Sequence, residues 1–166
     1  MIFKIITEDL QKELKSNLPQ VRILLKRNPA MAYTRITEIG KQVGQKYGIN
    51  LLVNFPHKGK IENFDMYGKQ DLSFIVDMEK KKFPIKREQI KSKAIEIFGN
   101  IEVKDAYMYD DKEGVKVFLG PANEEGRKED RIDILPHSLH VWFEFTDKVI
   151  EFCDYLLENV YLVKKN

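Results

Sequence analysis

The chain has 166 residues, of which 43% are hydrophobic and 33% charged, with 28 basic against 26 acidic side chains and a net charge of +2. This length is typical of one domain, and the composition excludes an intrinsically disordered chain. The near balance of charge excludes a protein that binds nucleic acid through an overall basic surface. We therefore expect one globular domain over residues 1–166.

The cysteine and hydropathy patterns indicate where the protein works. The single cysteine, Cys153, excludes an intrachain disulfide and argues against a zinc site. No apolar run approaches the roughly 18 residues that a membrane span needs, and no signal-peptide pattern follows Met1. We expect a cytoplasmic protein, or one assembled into a particle made in the cytoplasm, with no membrane partner.

The N-terminal third predicts two helices with a short strand between them. An apolar stripe at helical spacing over residues 6–18 predicts a first helix, which Pro19 ends. Residues 21–25 predict a short strand, and residues 34–45 predict a second helix. Two glycines in that helix indicate either a close approach of a neighbouring backbone or a marginal helix at the surface: Gly40 and Gly44.

Strands are predicted to predominate from residue 50 to residue 79. Residues 50–55, 61–66 and 71–79 predict three strands, and the last is the clearest because apolar and polar side chains alternate along it. A lysine-rich turn follows. This turn and Pro84 are predicted to open a third helix, in which apolar residues recur at positions 90, 94 and 97 and which ends at Gly99.

The C-terminal part predicts three more strands and a last helix. Strands at 101–109 and 115–119 are joined by a turn, and a strand at 139–145 precedes a helix capped by Thr146. Residues 120–130 are polar without periodicity, so we expect a flexible loop there. Because short turns link most strands, the predicted fold class is α+β, with a single mostly antiparallel sheet flanked by about four helices.

Three acidic residues form the first candidate site. Asp77 and Glu79 lie two apart, so they would share one face of the predicted strand, and Asp65 lies on the strand before it. The element order from residue 34 to 109 resembles that of the PD-(D/E)xK nucleases. The resemblance implies that Asp65, Asp77 and Glu79 hold Mg²⁺, that Lys81 supplies the motif's lysine, and that the substrate is DNA or RNA. The alternative is that these acids form only the solvated face of a strand.

A basic cluster between residues 80 and 93 forms the second candidate site. Lysine side chains at these positions could contact the phosphates of a nucleic acid, or form a solvated surface or the rim of a protein interface. Aromatic residues within the cluster are limited to Phe83, which disfavours a stacking platform for single strands. The cluster comprises Lys80, Lys81, Lys82, Lys86, Arg87, Lys91 and Lys93.

The sequence contains no recognisable arrangement of a catalytic nucleophile and no glycine-rich phosphate loop. Trp142 lies on the polar side of its predicted strand, which makes it a candidate interface anchor. Further interface candidates are Phe143, Lys81, Lys82, Lys86 and Arg87. Packing of Trp142 beneath a helix is the alternative.

The overall layout supports an interaction role. The elements at residues 7–18, 71–79, 90–98 and 139–145 resemble in order those of small phage tail-terminator and neck proteins, whose subunits pack into rings. The resemblance implies a non-catalytic protein-binding or assembly protein that needs no cofactor and binds another protein or copies of itself. A dedicated inhibitory protein would show the same features, and the Mg²⁺-dependent nuclease is the alternative function.

Overall fold

The computed structural model describes residues 1–54, 73–108, 111–122, 124–126 and 130–164. Within these residues five helices accompany one six-stranded sheet, so the α+β prediction is confirmed. The helices are α1 (Ile2–Ser16), α2 (Leu18–Arg27), α3 (Pro29–Gln45), α4 (Arg87–Phe98) and α5 (Asp147–Asn159). The strands are β1 (Asn50–Asn54), β2 (Ser73–Asp77), β3 (Glu102–Met108), β4 (Asp111–Phe118), β5 (Arg131–Ile134) and β6 (Ser138–Trp142).

The sheet has the strand order β1-β2-β6-β5-β4-β3, and each neighbouring pair is antiparallel. Side chains alternate between its two faces, and the register aligns apolar residues of successive strands in rows across one face. This core face carries two rows of buried side chains. They are Leu51, Val76, Leu139, Ile134 and Val115, and Val53, Phe74, Val141, Ile132 and Val117.

The helices pack on the core face. Phe3 of α1 makes edge-to-face ring contacts with Phe74 of β2 at 5.5 Å and with Phe145 at 5.1 Å. Phe98 at the end of α4 contacts Phe152 of α5 in the same way. Aromatic pairs of this geometry stabilise a core beyond the area that they bury. One continuous hydrophobic core therefore joins the sheet to the helices.

Glycine allows α3 to approach β1 closely. A Cβ atom added to Gly44 would lie 2.7 Å from the carbonyl oxygen of Ile49, and one added to Gly40 would lie 3.0 Å from that of Leu51. The first of these distances is shorter than real Cβ contacts allow. The close-approach interpretation of the two glycines is therefore confirmed.

Two helix termini are satisfied by side chains. Thr146 caps α5 as predicted, because its Oγ1 accepts a hydrogen bond from the backbone of Val149 at 3.3 Å. The cap of α1 comes from the other end of the chain, where Asp154 of α5 accepts from the backbone N–H groups of Phe3 at 2.7 Å and Lys4 at 3.2 Å. This carboxylate ties α1 to α5.

Several predicted boundaries are wrong, for identifiable reasons. Residues 21–25 lie within α2 and form no strand, because Pro19 occupies the first turn of that helix, where a missing N–H costs nothing. Pro29 likewise begins α3. The short strand β5 was not predicted. The turn predicted between the strands at 101–109 and 115–119 is too long, because β4 begins at Asp111 and pairs with β3 from that residue onward. A β-bulge between Ala106 and Tyr107 of β3 accompanies this pairing.

Some predictions fall outside the described residues. The predicted strand at 61–66 lies there, and so do residues 123 and 127–129 of the predicted loop at 120–130. No helix in the part of the chain that the structure describes has both the length and the apolar character needed to cross a membrane.

Candidate functional site

The face of the sheet opposite the helices carries charged, hydroxyl and aromatic side chains. We call it the polar face. Its members come from the central strands β2, β4, β5 and β6, where the register places them side by side. They include Asp77, Lys116, Arg131, Asp133, Ser138, His140 and Trp142, and the apolar Ile75 lies among them as the register partner of His140 on β2.

Trp142 is held in place by two neighbours on the polar face. The guanidinium of Arg131, directly opposite it on β5, lies 4.3 Å from the centre of the indole ring. The ring of His140 contacts the indole edge to face at 5.1 Å. Arg131 is itself fixed, because its Nε donates to the carboxylate of Asp133 at 3.1 Å. The indole is therefore partly exposed but held by its contacts.

The centre of the polar face is a poorly solvated environment. Asp133 is only 6% exposed. Burial raises the pKa of its carboxyl, although the charges of Arg131, Lys116 and His140 act in the opposite direction. Burial lowers the pKa of His140, an effect that Arg131 reinforces and the carboxylates of Asp133 and Asp77 oppose. The imidazole of His140 is therefore held toward its neutral form at neutral pH.

His140 also contacts a hydroxyl group. The Oγ of Ser138 lies 2.9 Å from Nε2 of His140, two residues along the same strand. The other ring nitrogen, Nδ1, is buried and has no hydrogen-bond partner among the described residues. Asp133 is the register partner of His140 on β5. Sequence reasoning missed this arrangement, and the available signal was Ser-x-His on one strand, which places both side chains on the same face.

The predicted carboxylate site is arranged differently from the expectation. Asp77 is the last residue of β2, and Glu79 lies beyond it in a turn with a left-handed φ of 48°. The two acids therefore do not share one strand face, which corrects the prediction, and the backbone N–H of Glu79 donates to Asp77 Oδ1 at 3.0 Å. Asp65 lies outside the described residues. Among the residues that the structure does describe, no three acid, histidine or cysteine side chains are grouped so as to hold a metal ion.

The basic cluster is largely paired with acids. Four of its cations make ion pairs: Lys82 with Glu113 at 3.2 Å, Arg87 and Lys91 with Asp105 at 3.6 and 3.9 Å, and Lys93 with Glu96 at 3.3 Å. The side chains of Lys80, Lys81 and Lys86 are exposed, and no ion pair to them occurs within the described ranges. The backbone carbonyl of Lys81 accepts from His137 Nδ1 at 2.9 Å. Only part of the cluster thus remains as free positive charge.

Trp142 and Phe143, predicted together as interface candidates, lie in different environments. Trp142 belongs to the polar face, whereas Phe143 follows β6 and packs against the hydrophobic core. Phe143 also lines an open groove of about 530 Å³ together with Phe98, Phe118 and Val149. Of the two aromatic candidates, Trp142 is the one whose surroundings are charged.

Comparison with known proteins returned no match of any kind: no protein-family model, no curated protein and no solved structure matches the chain significantly.

Proposed function

We propose that this chain is a protein-binding or assembly protein that contacts another protein, or further copies of itself, through the polar face. The observation that carries the proposal is the stacked pair of Arg131 and Trp142, with 4.3 Å between guanidinium and indole centre. Tryptophan and arginine are among the side chains most enriched where interface energy concentrates.

The contacts of Trp142 favour binding energetically. Immobilising a flexible side chain on association costs about 0.5–1.5 kcal/mol, and a side chain already held by neighbours avoids much of that cost. The indole is held by Arg131 and His140, and the guanidinium is held by Asp133. Around them Lys116, Ser138 and Asp77 supply the polar groups that typically surround an interface centre.

Two finer hypotheses accompany this proposal. The first is a subunit or inhibitory protein of a phage or mobile element, which rests on the resemblance in element order to tail-terminator and neck proteins. The second is a cytoplasmic location, or assembly into a particle made there, which the single buried cysteine supports, since the chain has no intrachain disulfide. Neither hypothesis requires a cofactor.

The first test measures self-association. Sedimentation velocity over a wide concentration range would compare the wild-type chain with Trp142→Ala and with Tyr107→Ala, whose side chain is 61% exposed on the edge strand β3. Loss of an interface anchor typically costs 2 kcal/mol or more, which is about 30-fold in Kd. We expect Trp142→Ala to raise the Kd of self-association by at least this factor and Tyr107→Ala to leave that Kd unchanged. Circular dichroism would verify that both variants fold.

The second test covers a partner of another kind. A photoreactive amino acid placed at position 142, and separately at 107, would be cross-linked in the cell that produces the chain. A discrete adduct at 142 that is absent at 107 supports the proposal. A chain that is monomeric at every concentration and gives no adduct specific to 142 contradicts it. Mg²⁺-dependent cleavage of DNA or RNA that disappears in Asp77→Ala would instead support the nuclease alternative.

A further inference from the structure

We propose that Ser138 is a nucleophile activated by His140, and that the polar face can transfer an acyl group from a carboxylic ester. This inference does not rest on the proposed binding function. It rests on the hydrogen bond of 2.9 Å between Ser138 Oγ and His140 Nε2, and on the position of Asp133 beside that histidine. The partial exposure of the Ser138 side chain leaves it open to a reagent.

The ring nitrogens of His140 have the roles that a general base requires. A serine hydroxyl becomes a useful nucleophile when a neighbouring neutral imidazole accepts its proton. Nε2 is the nitrogen next to the hydroxyl. Proton acceptance at Nε2 places the ring hydrogen on Nδ1, which is the buried nitrogen without a partner. The pKa of His140 is lowered by burial, so the neutral form needed for this step predominates at neutral pH.

Asp133 is the residue positioned to orient the imidazole. It lies directly opposite His140 on the neighbouring strand, and its carboxylate is bound by Arg131 at 3.1 and 3.4 Å. A buried nitrogen without a hydrogen bond costs about 1–3 kcal/mol, so rotation of the carboxylate toward Nδ1–H would remove this cost, and the attraction strengthens when Nε2 takes up a proton. Asp133 is thus a positioning residue, whereas Ser138 and His140 touch the reacting atoms.

The reaction has two balanced steps. Ser138 Oγ bonds to the ester carbonyl carbon while its proton passes to His140 Nε2, and the carbon–alkoxy bond breaks as the leaving alcohol takes that proton. The acyl group is then held on Ser138. Water attacks it with His140 as the base, which releases the carboxylic acid and restores the serine. The cations Arg131 and Lys116 lie beside Asp133, where their charges favour its ionised carboxylate.

A fluorophosphonate probe tests the inference, because Ser138 would attack its phosphorus and displace fluoride. Labelling sites would be mapped by mass spectrometry on the wild-type chain, with exposed Ser92 of α4 as the internal reference. We expect Ser138 to be labelled at least about 100-fold faster than Ser92, as general-base catalysis provides about that factor. Labelling at position 138 should be lost in Ser138→Ala, and the labelling rate of Ser138 should fall about 100-fold in His140→Gln. The Ser92→Ala variant should label Ser138 at the wild-type rate.

The pH dependence separates catalysis from a structural role. Labelling of Ser138 should rise with pH as His140 loses its proton and should level off by about pH 6.5, because the pKa of His140 lies below this ordinary value. This rise should vanish in His140→Gln. Equal rates at Ser138 and Ser92, which need no variant to observe, would overturn the inference. A wild-type rate in folded His140→Gln would do the same.

Discussion

Substitution of Gly44 by alanine distinguishes a close helix–strand contact from a merely weak helix. In an unconstrained helix, the change from glycine to alanine stabilises the helix by about 1 kcal/mol. In this fold the added Cβ would lie 2.7 Å from the Ile49 carbonyl oxygen and 2.9 Å from the backbone nitrogen of Leu51. Because both neighbours are backbone atoms of the segment that α3 packs against, neither can rotate away.

The magnitude follows from two opposing terms. Overpacking of a closely fitted site costs about 1–3 kcal/mol, and the helix-propensity gain offsets about 1 kcal/mol of it. Because the nearest atoms to the added Cβ are backbone, we place the overpacking cost in the upper part of that range, at about 2–3 kcal/mol. We therefore expect Gly44→Ala to lower the free energy of unfolding by about 1–2 kcal/mol, which for a chain of this size lowers Tm by roughly 2–8 °C. Gly40→Ala, with its nearest contact at 3.0 Å, should lie close to neutral.

Urea denaturation followed by far-UV circular dichroism measures both variants. Ser92→Ala, at an exposed position of α4, supplies a control in which only helix propensity changes. A stabilisation of about 1 kcal/mol in Gly44→Ala would refute the reasoning, since it would show that propensity alone decides the outcome.

Three further predictions concern the cap of α1 by Asp154, the left-handed backbone at Lys80 and the pKa of His140. Asp154→Ala removes the acceptor for the N–H groups of Phe3 and Lys4 and should lower the free energy of unfolding, measured by urea denaturation, by about 1–2 kcal/mol. Asp154→Asn retains an acceptor oxygen and should lower it much less. Equal losses in the two variants would contradict the role of Asp154 as the cap of α1. Lys80 has a φ of 69°, so Lys80→Gly should raise the free energy of unfolding by about 1 kcal/mol, while Lys80→Ala, which also removes the charge, should give no gain. Because burial lowers the folded-state pKa of His140 below its unfolded value of 6.5, the unfolded chain binds a proton that the folded chain does not, and stability should fall as pH decreases below 6.5. Denaturation between pH 7 and 5 should show a shallower loss in His140→Gln, and an unchanged slope would exclude His140 as its source.

Regular elements with a strong local signal could be predicted from the sequence. Thr146 followed by an apolar stripe identified α5, and the alternation in β6 placed Trp142 on the polar side of its strand. The glycine pair in α3 indicated a close approach, although it could not name β1 as the neighbour. These features depend on residues close together in the chain, where periodicity and capping chemistry decide the outcome.

Features that depend on tertiary register could not be predicted. Pro19 is compatible both with the end of one helix and with the first turn of the next. Only the burial of Val21 in the core favours the first turn of α2. The basic cluster loses much of its free charge through Glu113 and Asp105, which lie on later strands. The proximity of Asp133 to His140 follows from the β5–β6 register, which no local pattern specifies.

Acrylamide quenching of the only tryptophan gives the most direct test of the polar face as a contact surface. Trp142 is the sole indole in the chain, so its emission reports on this face alone. Formation of the complex, either by raising the concentration or by adding the partner found through cross-linking, should lower the quenching constant of Trp142 in proportion to the complex formed. A complex that forms while the quenching constant stays at its monomer value would place the interface elsewhere.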